Sequence, residues 1–110
     1  MKRGGDPIKF SEILMWQLKR VLDQPSGSIA RHRELRDMED LLSHLIWRDP
    51  ENQFDKDKKE ANEKRDDIEK GNVKNVKPKE ALELHQSLWL GAIIRLMKRF
   101  DLLGDEHLIG

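Results

Sequence analysis

The chain contains no cysteine, which excludes a disulfide framework and thiolate ligands for zinc. It also lacks an excess of either charge. Its 21 basic residues cancel 21 acidic ones, so no global field draws it toward nucleic acid or a membrane surface. The cancellation is local too, since residues 1–48 sum to +2, 49–80 to −1 and 81–110 to −1. Long hydrophobic runs are missing: the most apolar stretch, Leu88 to Ile94, is seven residues long, against the roughly 20 that cross a bilayer. The basic start Met1-Lys2-Arg3 has no apolar signal core behind it. No alternation of apolar and polar residues marks a β-strand. These absences make a soluble cytoplasmic protein with no membrane partner the expectation.

What is present is a contrast. Residues 49–80 carry 19 charges and only five apolar side chains, and apolar helical patterns flank them on both sides. At 110 residues the chain is read as one domain with a modest core. The predicted fold is all-α, a small bundle of about four helices. Residues 7–48 form a helical hairpin, with Asp6-Pro7 starting the first helix, Pro25-Ser26-Gly27 breaking it and Ser28 capping the second. Residues 49–80 form a charged third helix or arm, on which Phe54, Ala61 and Ile68 recur every seven residues. So thin a stripe buries little area, which predicts weak protection of this segment. Residues 78–103 hold the central apolar helix, in which Leu88, Trp89, Ala92, Ile93, Leu96 and Met97 cover more than half the circumference.

That circumference exceeds what short neighbours can cover, so the chain is expected to self-associate, most simply as a two-fold dimer. The leading functional expectation is a non-enzymatic helical interaction or assembly module whose partners are a second copy and a further, unidentified protein. Phe54, Ala61, Ile68, Trp89, Gly91 and Ile93 are the candidate partner-binding residues. Gly91 is expected where another helix crosses closely, because a glycine inside a helix is otherwise unfavourable by about 1 kcal/mol relative to alanine. Trp16, Trp47 and Trp89 are read as core anchors.

Two other chemistries are weighed. Glu60 and Glu63 are followed by Glu80 and Glu83, two acidic pairs on successive predicted helices. This resembles the all-α nucleotide pyrophosphohydrolases, although the last position departs from that family's usual Asp. The resemblance implies Mg²⁺ held by the four glutamates, with the metal neutralising phosphates and activating water. Without it the expectation is no cofactor and no catalytic residue. The second alternative is a nucleic-acid-binding regulator, in which Arg31, Arg33 and Arg36 at the start of the second helix, with Lys74 and Lys77, would touch phosphates. The acidic neighbours Glu34, Asp37, Glu39 and Asp40 oppose it. The four histidines have neither the Glu–His i, i+3 nor the His–His i, i+4 spacing of helical metal motifs, so no metal site is assigned to them.

Overall fold

A computed structural model describes residues 10–70 and 78–102. Among these residues there are six α-helices, one short 3₁₀ turn and no strand, which places the chain in the all-α class. The helices are α1 (Phe10–Asp23), α2 (Ile29–Leu41), α3 (Ser43–Arg48), α4 (Gln53–Asp57), α5 (Lys59–Glu69) and α6 (Pro78–Arg99), with the 3₁₀ turn at Pro50–Asn52 between α3 and α4. None of them is long and apolar enough to cross a membrane.

The expected start at Asp6-Pro7 lies outside the described residues, and the turn between α1 and α2 is tied in several ways. Ser28 Oγ accepts a hydrogen bond from the Arg31 backbone N–H at 3.0 Å, which caps α2. The Arg31 guanidinium turns back on α1 and donates to the carbonyls of Val21, Leu22 and Gln24, groups that a helix C-terminus leaves without partners. Gly27 has φ +81°, a left-handed conformation that glycine adopts without strain. Leu14, Leu18 and Val21 of α1 and Leu35 and Met38 of α2 belong to one buried cluster. Along the flank of the hairpin, Gln17 donates to both the backbone carbonyl and the carboxylate of Glu34.

The count of four helices is too low, because two of the predicted helices are broken. The second loses its regular geometry at buried Leu42 (φ −89°, ψ 2°) and resumes as α3, which spans less than two turns. The third begins with two residues in the left-handed region, Glu51 and Asn52, both at φ 55°. It breaks again at Lys58 (φ −114°, ψ 23°), whose side chain turns inward. The expected weakly attached arm is corrected as well. Phe54 and Ala61 are each 1% exposed within the core cluster, and α4 and α5 pack on α6. The sevenfold stripe does find a partner, and that partner is the chain's own last helix.

Helix α6 is central. Trp89, Ala92, Ile93, Leu96 and Met97 are fully buried, with α2 and the α4–α5 segment both against it. Its wide apolar band is therefore covered largely from within the chain. The C-terminus closes on Asp101, at φ 55°, where the Leu102 N–H donates to the Met97 carbonyl at 2.8 Å.

Candidate functional site

Between α2, α5 and α6 lies a polar cluster that the charged composition of residues 49–80 concealed. Glu39 is its centre. One carboxylate oxygen accepts from the Trp89 indole N–H at 2.7 Å and from Arg65 at 3.1 Å, and it also pairs with the Lys58 ammonium. Lys58 is only 2% exposed, and its ammonium lies 4.7 Å from the Phe54 ring centroid and 5.2 Å from that of Trp89. Arg65 covers the Trp89 ring at 5.1 Å, so both rings carry cations on their faces. Burial pushes the Glu39 carboxyl up, but Lys58, Arg65 and the indole outweigh it and hold the group below the usual carboxylate range. Burial also draws Lys58 below the usual lysine range, and Glu39 opposes that pull.

A histidine pair adjoins this cluster. His32 and His85 are both buried, with ring centroids 5.4 Å apart, and each lies against Trp89, at 5.5 and 5.0 Å. His85 Nδ1 donates to the Ala61 carbonyl at 2.8 Å, tying α6 to α5, and its buried Nε2 has no hydrogen-bond partner. Burial, aided by the charges of His32, Arg65 and Lys58, lowers its pKa to about 4 despite the Ala61 bond. His85 is therefore neutral at pH 7. A cleft of about 260 Å³ opens over the cluster, lined by Arg36, Glu39, Asp40, Arg65, Asp66 and Trp89. Its polar groups of both signs are packed together, and the carboxylate at its floor already holds three donors. It contains no nucleophile next to a free base.

A second polar lock sits at the far end of α6. The Asp49 side chain is fully buried and accepts from Arg99 at 2.9 and 2.8 Å and from the Phe54 backbone N–H. Arg99 also reaches Asp57 at 3.1 Å. Asp49 and Asp57 together raise the Arg99 pKa further. This lock fixes the turn that carries the left-handed pair Glu51 and Asn52.

The four glutamates of the pyrophosphohydrolase resemblance do not form a metal site. Glu60, Glu63 and Glu80 are exposed, while Glu83 is half-buried against the α1–α2 turn, beside Gly27. Among the described residues there is no group of three or more His, Asp or Glu side chains that could hold a metal ion. The basic cluster is dispersed too: Arg31 is committed to the α1 carbonyls, Arg33 points to solvent and Arg36 lines the polar cleft. Lys74 and Lys77 lie outside the described residues.

The candidate partner residues are mostly internal. Phe54, Ala61, Trp89 and Ile93 are buried in the core, and Ile68 is half-buried. Among the described residues no other helix crosses at Gly91: a Cβ there would meet only the Arg95 guanidinium, at 3.6 Å or more. Ile68 and Gly91 are the two of the six that keep some exposed surface. Of the three tryptophans read as anchors, only Trp89 is one; Trp16 is 67% exposed and Trp47 is 88% exposed. Trp47 borders a groove of about 180 Å³ that it shares with Ile46, Asn52 and Asp55.

Sequence reasoning missed Glu39, Lys58, Arg65 and His85. A signal for part of this set existed, because Phe54, Lys58, Ala61 and Arg65 follow helical i, i+4, i+7, i+11 spacing, as His85 and Trp89 follow i, i+4. Comparison with protein-family models, with curated proteins and with solved structures gives no match to the chain.

Proposed function

We propose that this protein is a non-enzymatic helical assembly module that pairs with a second copy of itself. The observation that carries this reading is the exposure of Trp47, 88% of whose surface is in water. Large aromatic side chains contribute strongly to the energetics of interfaces when they are buried there, and tryptophan is enriched at binding hot spots. The polar cluster supports the non-enzymatic part. Glu39, Lys58, Arg65 and Trp89 satisfy one another and join three helices, a structural use of polar groups that leaves none of them poised for proton transfer.

Light scattering of the full chain tests the reading. The mass should rise from 13.0 kDa toward twice that value as the concentration goes from micromolar to millimolar. A mass fixed at that of the monomer over the whole range would rule the assembly module out.

A further inference from the structure

Resting on that reading, we infer that the dimer is two-fold and that the Trp47 indole of each copy seats in the partner's groove beside Ile46, Asn52 and Asp55. A knob and a groove lie side by side on one surface, since Trp47 itself forms one wall of the groove. A two-fold axis through such a surface brings each knob to the other copy's groove in one closed pair, which is what an isologous contact requires.

The chemistry of the surface is self-complementary. The indole offers one N–H donor and no acceptor, and exposed Asp55 offers a carboxylate to receive it. Arg48, next to Trp47, is exposed, as are Asp55 of the groove lining and Glu51, next to the lining residue Asn52. A two-fold pairing sets the basic side of one copy against the acidic side of the other, as electrostatic complementarity favours. The groove is also held in shape. Glu51 and Asn52 occupy a left-handed conformation that residues other than glycine rarely adopt. Strain of this kind persists where the surroundings over-determine it, and it concentrates at binding and switch regions. Here Asp49, gripped by Arg99 and bonded to the Phe54 N–H, supplies that constraint from inside the fold.

Complementation between two surface variants tests the pairing, read by sedimentation of the full chain. Arg48→Glu reverses the basic side of the contact and Asp55→Lys the acidic side, and both leave Trp47 in place as knob and as groove wall. Both positions are exposed, so each variant should keep the wild-type circular dichroism spectrum. Each alone sets like charges against each other across the two-fold axis and should weaken the dimer by at least about thirtyfold. In an equimolar mixture the reversed position 48 of one copy faces the reversed position 55 of the other, and the second Arg48–Asp55 contact is unchanged. The mixture should therefore dimerise more tightly than either variant by itself. A wild-type dimer that neither substitution weakens, or a mixture no tighter than its components, would overturn this pairing and leave the assembly reading standing. A wild type that stays monomeric would remove both.

Discussion

Lys58 and Glu39 form an ion pair inside the fold, closed off by the rings of Phe54 and Trp89, with the lysine only 2% exposed. The two partners are not equivalent. Glu39 accepts from Lys58, Arg65 and Trp89 at once, whereas Lys58 is one of three donors to Glu39. Removing one member of a buried pair strands the other's charge, with a loss of about 3–5 kcal/mol, while an apolar replacement of similar volume is often tolerated. Glu39→Ala should therefore lose stability in that range. Lys58→Met keeps the stem packed between the two rings and leaves Glu39 with two donors, so its loss should be smaller by about 2 kcal/mol or more. Urea unfolding of the two variants measures the difference, and equal losses would contradict this account of the cluster.

The two glycines in the described turns and helices should respond to alanine in opposite directions. At Gly27 the backbone has φ +81°, and a Cβ would fall 2.6 Å from Glu83 Cγ. The same residue donates its N–H to Gln86 at 2.7 Å, while the Gln86 amide donates to the Ser28 carbonyl at 2.8 Å. Gly27→Ala should lose about 1–2 kcal/mol from the left-handed conformation alone. At Gly91 a Cβ meets only a flexible guanidinium at ordinary contact distance. Gly91→Ala should gain about 0.5–1 kcal/mol through helix propensity. Thermal unfolding of both variants decides the matter; destabilisation by Gly91→Ala would show that something passes close to α6 there.

Hydrogen exchange should reveal the charged segment as part of the core. The Lys58 N–H donates to the Phe54 carbonyl and the Asn62 N–H to the Lys58 carbonyl, on either side of buried Phe54 and Ala61. Opening that region requires separating α4 and α5 from α6. Amides of residues 57–62 should be protected to a degree similar to those of 89–97. Fast exchange at 57–62 with slow exchange at 89–97 would mean that the segment opens independently.

The turn between α1 and α2 and the apolar face of the last helix were legible because their information is local. Ser28 as a cap, the Pro-Ser-Gly turn and the dense apolar face of residues 82–97 act within one or two helical turns. The fate of residues 49–70 was not legible, because it depends on pairings between distant positions. Lys58 is 19 residues from Glu39, and Asp49 is 50 from Arg99. A lysine in a charged run carries no mark that it will be buried; the mark lies in a glutamate on another helix. Trp47 failed as an anchor for a geometric reason. The irregular geometry at Leu42 interrupts the second predicted helix, so a phase read from Leu35 and Met38 does not carry through to residue 47. The glutamate pairs matched a spacing, but spacing along two helices says nothing about which faces meet.

Acid should destabilise the protein through His85 at a pH above that at which Glu39 loses its charge. Its folded pKa is lowered to about 4 from 6.5. Between those two values the unfolded chain binds a proton that the folded chain does not, so unfolding takes up protons and stability falls as the pH is lowered. The stabilisation is fully present above pH 6.5 and is lost progressively down to about pH 4; a shift of this size amounts to about 3 kcal/mol at full extent. The groups around the ring oppose protonation together: Lys58 from the α4–α5 junction, Arg65 from α5 and His32 from α2. Glu39 acts in the same direction but at lower pH, since its folded pKa is depressed below 4.5 and its contribution disappears only as the pH falls through that range. The window from pH 6.5 to 4.5 thus lies above the range in which Glu39 loses its contribution. His85→Asn keeps an N–H in the position that donates to the Ala61 carbonyl and removes the titrating nitrogen. It should lower stability at pH 7 through the lost ring, yet flatten the dependence between pH 6.5 and 4.5. Urea midpoints across that range measure both slopes. If the variant keeps the wild-type slope, a group other than His85 carries the acid sensitivity.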